Sequence, residues 1–381
     1  MFCAQENKFY MKEVDRQNQR RSVGSMDTVS YRCINCGGPL EYNAAKLKFA
    51  CEYCRSEFTE TQLREHFGNL DENLSENQQS EQQSETEREY GAALYTCQGC
   101  GAEVIAETEN TAATFCVYCH SPVVISNRLT GQFKPDKVIP FKISEDDAKS
   151  KFKAFCGKKL FLPKDFISDG QMDKMKGVYY PYWIVDSQKD GSMTATAKKI
   201  RRWKDSNYEY KETKIYNVVR KGKIHFTGYP HTALGNTEHS KALKYVNPFK
   251  DEEFRPFTMA YLSGFLAEKR DLERNQVQSD VDKELKEYAK KIYRDTIRDY
   301  DSVSIEAFDV HTLAEKWEYG LMPVWLMNFT YKGKTFMYAM NGQTGKTFGE
   351  LPVSGAKLTI FGIIMFILLT AAGFFLFGGG I

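Results

Sequence analysis

Four Cys-x-x-Cys pairs constrain this chain more than any other feature, and they account for eight of its ten cysteines. Fourteen residues separate the pairs of the first set and fifteen separate those of the second. Each set suits a tetrahedral thiolate site, because two turns supply two sulfurs each and the intervening loop can fold back as a hairpin. The spacing predicts tandem zinc ribbons holding two zinc ions per chain, with these ligands: Cys33, Cys36, Cys51 and Cys54 in the first ribbon, and Cys97, Cys100, Cys116 and Cys119 in the second.

The two sets also match outside their cysteines. A tyrosine stands two positions before the first cysteine of each set, and a glycine follows the second cysteine of each. Glycine at that place permits the positive φ that turns backbone N–H groups toward sulfur. The sequence therefore predicts a structural repeat, with Gly37 and Gly101 in equivalent turns.

Other uses of cysteine fit less well. A thioredoxin-like site uses a single Cys-x-x-Cys after a strand, and structural disulfides require an oxidising compartment that no N-terminal signal indicates. Iron in a four-thiolate site stays open, because spacing alone does not choose the metal. His120 is interpreted as a residue beside the site, with ligation as the alternative, and Cys3 and Cys156 as ordinary thiols.

A second strong feature lies near the other end of the chain. Twenty residues from Leu358 to Phe377 carry no charge, and a helix of that length spans about 30 Å, the thickness of a bilayer core. A buried core helix would show a polar face, whereas this segment offers only Thr359 and Thr370. The segment predicts a single-span, tail-anchored membrane protein.

The orientation of the span follows from charge and from metal chemistry. Lys332, Lys334, Lys346 and Lys357 precede it, and no charge follows it. The positive-inside rule places the N-terminal bulk in the cytoplasm, where reducing conditions also favour zinc thiolates. We expect a single-pass protein of the cytoplasmic membrane.

Composition bounds the remainder. With 27% charged residues and a net charge of +2, the chain before the anchor is typical of a soluble globular protein without a general nucleic-acid signature. Charge is less even locally, because Lys189 to Lys223 holds eleven Lys or Arg against four Asp or Glu. This stretch is interpreted as a solvated strand face, with contact to anionic lipid as the alternative.

The predicted fold class is two small zinc-ribbon β modules in tandem, an α+β soluble body and one C-terminal transmembrane helix. Thr59 and Gln62 form a capping box before a short amphipathic helix, which we expect to pack on its own ribbon. The predicted division is 1–25 disordered tail or misread start, with Met26 as initiator; 26–58 first ribbon; 59–93 helix and acidic Gln/Ser/Glu linker; 94–127 second ribbon; 131–356 body; and 358–377 transmembrane helix.

Within the body, periodicity predicts helices and strands. A stripe of Val281, Leu285, Tyr288 and Ile292 marks the longer helix. An echo between Pro181–Ile184 and Pro323–Leu326 suggests two related halves. The predicted elements are helices over 146–155 and 279–300, a strand over 178–186, a hairpin over 207–226, and paired strands over 321–330 and 334–341.

Catalytic signatures are absent from the sequence. The run from Gly342 to Thr347 resembles the end of a P-loop, but Met340 occupies the place of its first glycine, so we interpret the run as a turn between strands. The histidines have neither HExxH spacing nor a serine elbow nearby. An enzyme is not expected.

Taken together, these motifs carry a resemblance. The tandem ribbons, Tyr261–Phe265, Pro323–Leu326, Ala339–Lys346 and the C-terminal span resemble a bacterial family of membrane-anchored proteins with transcription-factor-IIB-type zinc ribbons. The resemblance covers 26–377 and implies a link to phage-shock-type envelope-stress systems, in which a membrane complex recruits a coiled-coil stress protein and a scaffolding protein. This chain departs from the family in its first 25 residues and in its long linker.

The sequence thus favours a non-enzymatic membrane adapter that recruits a protein partner at the cytoplasmic membrane. One alternative is a nucleic-acid-binding ribbon protein, against which the second ribbon's Glu103, Glu107 and Glu109 argue. The other is a redox sensor in which thiolate oxidation releases zinc.

Overall fold

The structure is a computed structural model, and it describes residues 28–29, 31–67, 94–97, 103–105, 110–116, 121–129, 133–163, 166, 172, 174–235 and 240–377. The expected tail 1–25, the linker from 68 to 93, and Cys100, Cys119 and His120 lie outside these residues.

Strands dominate the described chain. In chain order they are β1 Thr28–Val29, β2 Leu40–Asn43, β3 Lys48–Cys51, β4 Glu57–Phe58, β5 Leu94–Thr96, β6 Glu103–Ile105, β7 Thr111–Phe115, β8 Pro122–Ile125, β9 Lys137–Val138, β10 Lys176–Lys204, β11 Glu209–Thr232, β12 Arg255–Pro256, β13 Leu266–Glu268, β14 Ser302–Tyr331, β15 Lys334–Asn341 and β16 Thr347–Gly349.

The helices are fewer and stand between the strands. They are α1 Glu60–Phe67, α2 Glu145–Gly157, α3 Ser240–Tyr245, α4 Arg274–Asp295 and α5 Gly355–Phe377, with 3-10 turns at Ser126–Leu129, Asp251–Glu253 and Met259–Leu262. This is a mixed α and β body with one long apolar C-terminal helix, as the sequence predicts.

The described strands form one large sheet and two small ones. The main path of the large sheet runs β1-β8-β7-β13-β10-β14-β15-β16, and β11 pairs with β10. Strands β2, β3 and β4 make a separate sheet around the first cysteine set, and β5 pairs with β6 at the start of the second. The hairpin β14–β15 turns at Lys332 and Gly333, as expected from the sequence.

Three very long antiparallel strands, β10, β11 and β14, form an extension of the body that we name the arm. Strands β10, β11 and β14 have 29, 24 and 30 residues and pair in the order β11-β10-β14. At about 3.3 Å per residue, each of the two longest strands extends for up to roughly 95 Å. The predicted strand over 178–186 is therefore only the start of β10. The predicted hairpin over 207–226 is wrong, because Glu209–Thr232 forms the single strand β11, which pairs with β10.

Helix α4 covers one face of the arm. Its buried side chains are Val277, Val281, Leu285, Ala289 and Tyr293, which recur every fourth residue. The predicted stripe was half wrong, because Tyr288 and Ile292 are exposed. The C-terminal end of the helix packs on small inward residues of the arm, because Tyr293 and the following Ile297 share a buried cluster with Ala195 and Ala197.

A buried lysine fixes the helix to the arm. Lys189 lies on β10 beside a register shift relative to β14, and its side chain is almost fully buried. Its ammonium lies 3.0 Å from Asp282 of α4 and 2.7 Å from Thr312 of β14. Glu315 lies 3.8 Å away, so the buried cation is compensated from two elements.

Helix α5 is long and apolar enough to cross a membrane, and it is the one such helix among the described residues. Its side chains from Leu358 to Ala372 are exposed, so this part of the helix is not packed in a core of the described residues. The base of the helix is attached to the body, since Lys357 Nζ donates to Leu162 O and Phe361 packs against Phe161 at 5.3 Å.

Candidate metal centre

The structure brings the first four cysteines together. The four sulfur atoms of Cys33, Cys36, Cys51 and Cys54 all lie within 4.8 Å of one another. Cys33 Sγ lies 3.4 Å from Cys54 Sγ, and Cys36 Sγ lies 3.5 Å from Cys51 Sγ. No other group of three or more potential ligands occurs in the described part of the chain.

These distances fit a tetrahedral metal site. Zinc–sulfur bonds of about 2.3 Å place the sulfurs of a tetrahedron about 3.8 Å apart. The sulfur cluster is slightly tighter than that value along two edges, and all four positions are filled by protein. The donor set therefore fits a closed four-thiolate site of the kind that holds zinc, with no position left for a reacting water.

Two backbone turns hold the sulfurs in place. Gly37 adopts φ +74° and donates its N–H to Cys33 O at 2.8 Å. In the second turn Arg55 adopts φ +60° and donates to Cys51 O at 2.9 Å. The positive φ predicted at Gly37 is confirmed, whereas the left-handed Arg55 gave no sequence signal because arginine rarely adopts that conformation.

The thiols of this cluster differ in acidity. The hydroxyl and N–H of Ser56 stabilise the thiolate of Cys54 and lower its pKa to about 6. The N–H of Gly38 also favours a thiolate at Cys36, but hydrogen bonds with the thiols of Cys54 and Cys51 raise the pKa of Cys36 to about 12. Without a cation the cluster retains protons, so metal binding must release them.

The second set is only partly described, yet its described residues repeat the first set. Cys97 and Cys116 are buried in one cluster with Tyr95, Val123 and Ile125. Cys116 N donates to Ser121 O at 3.0 Å, which matches the bond from Cys51 N to Ser56 O at 3.0 Å.

The strand registers of the two sets agree as well. The residue before the first cysteine pairs with the residue three places after the second cysteine in both sets, as Arg32 with Pro39 and as Thr96 with Glu103. The second turns agree in the same way. Ala50 pairs with Glu57 in the first set, and Phe115 pairs with Pro122 in the second.

The first ribbon is docked on the body by side chains of the segment Tyr261–Phe265, which we name the clamp. Ser263 Oγ donates to Leu40 O, and Ser263 O accepts from Tyr42 N at 3.0 Å. Tyr261 Oη donates to Glu60 of α1 at 2.6 Å. The clamp therefore holds both the ribbon sheet and the helix that follows it.

Aromatic packing continues from the clamp into the body. The Tyr261 ring lies 5.4 Å from Tyr42, and Phe265 stacks on Phe141 at 4.2 Å. Phe265 also lies 6.1 Å from Trp325, within the large sheet. Two sequence motifs that carry the family resemblance thus meet in one core beneath the ribbon.

The third motif of the resemblance, Ala339–Lys346, ends in a turn, as its glycines indicate. Asn341 is fully buried; its amide donates to Val246 O at 3.0 Å, and its Oδ1 accepts from the N–H groups of Gln343 and Thr344 at 2.9 Å. Gly345 adopts φ +77° between β15 and β16. The run closes on the body's own backbone rather than forming a phosphate cradle.

The short helix after the first ribbon forms as expected. Thr59 N donates to Gln62 Oε1 at 2.9 Å, and Gln62 N donates back to Thr59 Oγ1 at 3.3 Å. Leu63 is buried, and Phe67 packs edge-on against Tyr31 at 5.9 Å. The apolar side chains of α1 therefore pack on the first ribbon itself.

The outer surface of the first ribbon stays open. Cys36 and Cys54 are exposed, whereas Cys33 and Cys51 are buried. Tyr53, between the two cysteines of the second turn, is 77% exposed, and Leu47 at the hairpin tip is 52% exposed. The site thus presents a rigid turn with an uncovered aromatic side chain beside the metal position.

Comparison with known proteins yields one relative. The chain is similar to a protein of Bacillus subtilis (strain 168) described as uncharacterized protein YdjG, at 28% identity over 334 residues. The alignment covers 87% of this chain and 92% of the relative, so the likeness extends far beyond the cysteine motifs. No family model matches the chain, and no solved structure matches it significantly.

Proposed function

We propose that this chain is a membrane-anchored adapter whose zinc ribbons recruit a protein partner at the cytoplasmic membrane, in an envelope-stress response. The observation that supports it best is the rigid path from metal to anchor. The clamp joins the first ribbon to the large sheet, and the base of α5 is bonded to the same body. A partner bound to the ribbon would be held at a defined place relative to the membrane.

The exposed turn of the first ribbon supplies the recruiting surface. Tyr53 is a large, uncovered aromatic residue on a turn that metal binding would stiffen. Aromatic side chains on rigid supports commonly dominate the affinity of protein interfaces, because they bury much area at little entropic cost. The surface fits a protein partner.

Charge on the same ribbon supports a protein rather than a nucleic acid. Lys46 and Lys48 are the lysines of its hairpin, and both ammonium groups pair with Glu57. Glu57 offsets one of these two positive charges, so the hairpin lysines keep a net charge of only +1 for phosphate neutralisation.

A second zinc ion in the second ribbon completes the proposal. The matched registers and the matched bond from Cys116 to Ser121 support the same ligand geometry, with Cys100 and Cys119 as the remaining ligands. Two filled sites would give the adapter two rigid turns.

The anchor and its orientation are proposed from charge. Lysines precede α5, which favours a cytoplasmic body. Deleting 358–381 should move the protein from the membrane pellet to the soluble fraction. Continued pelleting after a high-salt wash would show that another element holds the chain at the membrane.

Recruitment is tested by crosslinking the full chain in intact bacteria, purifying it from membranes and quantifying co-purified proteins. Tyr53→Ala is compared with Tyr288→Ala, a control at a 50% exposed tyrosine on α4. We expect one protein to fall about tenfold or more with Tyr53→Ala and to persist with the control. Equal recovery of every co-purified protein from both variants would contradict the adapter function.

A further inference from the structure

The far end of the arm is a two-stranded hairpin that projects beyond its support. Strand β14 begins opposite Lys198, so β10 and β11 continue as a pair from 199 to 214. Every residue from 201 to 210 is exposed. We name the segment 199–214 the tip hairpin.

The tip hairpin is well formed although no core lies beneath it. Asp205 caps the turn by accepting from the N–H groups of Asn207 and Tyr208, both at 2.9 Å, and from the hydroxyl of Tyr210 at 3.0 Å. Trp203 stacks on its cross-strand partner Tyr210 with ring centroids 5.4 Å apart. These contacts hold the shape of a hairpin that would be marginal alone in water.

Basic charge covers both faces of the tip hairpin. Successive residues of a strand point to opposite faces, so Lys199 and Arg201 lie on one face while Lys198 and Arg202 lie on the other. The hairpin carries six Lys or Arg against three Asp or Glu, and one of those three acids is the turn residue Asp205. Six basic residues less three acidic residues leave the tip hairpin a net charge of +3, with exposed Trp203 and Tyr208 at its end.

We propose that the tip hairpin binds the surface of an anionic phospholipid bilayer, as a membrane contact separate from α5. Arginine and lysine are attracted to anionic head groups, while tryptophan and tyrosine favour the interface between head groups and acyl chains. A hairpin that meets a bilayer end-on brings both basic faces and the terminal aromatic rings into the head-group layer at once.

This distribution fits a bilayer better than a nucleic acid. A β-ribbon in a nucleic-acid groove uses one face, which leaves the opposite basic face without a role. Base recognition by stacking needs a free ring face, whereas Tyr210 stacks on Trp203 and the guanidinium of Arg201 also lies over the Trp203 ring, 5.4 Å from its centroid. Rings that present edges and hydroxyl groups suit the head-group region.

The position of the tip separates it from the anchor. Phe329, near the opposite end of β14, packs against Phe166, and the neighbouring Leu162 accepts the bond from Lys357 at the base of α5. The arm thus carries α5 near one end and the tip hairpin at the other. Contact at both ends would either lay the arm along one bilayer or bridge two bilayers.

The test uses the full chain inserted through α5 into sucrose-loaded phosphatidylcholine vesicles, whose neutral surface does not compete for the tip. Fluorescent acceptor vesicles without protein contain either phosphatidylcholine alone or about 30 mol% phosphatidylglycerol. Sedimentation of fluorescence with the heavy vesicles measures tethering. We expect the anionic acceptors to sediment about tenfold more than the neutral ones and to be released as NaCl rises to about 0.5 M.

Two variants with equal charge change locate the contact. The tip variant carries Lys199→Gln, Arg201→Gln, Arg202→Gln and Lys204→Gln; the matched control carries Lys221→Gln, Lys223→Gln, Lys283→Gln and Lys286→Gln, which change exposed lysines away from the tip. Tethering should be lost in the tip variant and kept in the control. Trp203→Ala, which keeps every charge, should reduce tethering severalfold.

Several results would overturn the proposal. Equal sedimentation of neutral and anionic acceptors by the unaltered chain would do so without any variant. Equal loss of tethering in the tip variant and in the control would show that tethering depends on the overall charge of the chain and not on the tip hairpin. Binding of a labelled DNA duplex or single-stranded RNA that depends on the tip residues, without vesicle tethering, would assign the hairpin to nucleic acid.

Discussion

The two cysteine sets share local geometry but differ in how they join the body. The first ribbon keeps its own three-stranded sheet and meets the body through clamp side chains. The second ribbon's hairpin β7–β8 is part of the large sheet, where β7 pairs with β13 and β8 pairs with β1. Segments with matching strand registers can thus serve as a docked module or as an edge of the core.

Strand β1 also ties the two sets together. Thr28 pairs with Ile125 and Val29 pairs with Val124, just before the first ribbon begins. The chain therefore enters the first ribbon directly from the sheet of the second. We expect metal loss to reach the body more strongly from the second set, through the backbone pairing of β7 and β8, than from the first set, through the clamp and the hydrophobic core that the first ribbon shares with the body.

The largest effect is expected from Cys116→Ser. Removing one thiolate from a closed zinc site forfeits most of its binding energy, and β7 lies between β8 and β13. We expect the free energy of unfolding of the body to fall by about 3 kcal/mol or more. Hydrogen exchange in β13 and in β10 near Val178 should rise together.

The matched control for that change is Cys156→Ser, a buried cysteine outside both sets. It should leave the metal content unchanged and alter stability less. Unchanged exchange in β13 after Cys116→Ser would show that the second set is not coupled to the sheet.

A smaller and more local effect is expected from Cys33→Ser. The first ribbon should lose its metal, and exchange should rise mainly over 31–67, because the ribbon has its own small sheet and is joined to the body through the clamp, the shared core and the two-residue strand β1. The long strands β10 and β14 should keep their protection. Loss of protection in the arm would mean that the ribbon supports the body rather than docking on it.

Next in size is Ser263→Ala in the clamp. The change leaves the buried Leu40 carbonyl without its hydroxyl donor, which costs about 1–3 kcal/mol. We expect the first ribbon to detach more often while its metal stays bound. Urea unfolding measures the loss of stability, and hydrogen exchange over 40–51 measures detachment of the ribbon. Ser302→Ala, at an exposed serine, serves as the control.

The smallest effect on stability is expected from Tyr53→Ala. An exposed side chain that packs little should change the free energy of unfolding by less than about 0.5 kcal/mol. Thermal unfolding and metal content should match the unaltered protein. A large drop in stability would show that Tyr53 is a structural part of the knuckle and would remove it as a recruiting residue.

Local features were readable from the sequence because their causes are local. The first sulfur cluster, the capping box at Thr59 and Gln62, the turn after Asn341 and the apolar helix α5 each depend on residues close together in the chain. Spacing and turn chemistry carry such information directly.

The arm and the clamp could not be read in the same way. Inward residues such as Ala195 and Ala197 give little hydrophobic contrast, so the strand period fades where the arm is longest. The clamp joins Ser263 to Leu40 across more than half the chain, and β13 is three residues long. Such contacts depend on the assembled core rather than on any local pattern.

Metal content decides whether both cysteine sets form the same closed zinc site, as we propose. Native mass spectrometry of the soluble part, 26–351, should give two zinc ions per chain, falling to one in Cys33→Ser and to one in Cys116→Ser. One zinc ion in the unaltered protein, unaffected by Cys116→Ser, would contradict the claim. A chain loaded mainly with iron would contradict it equally.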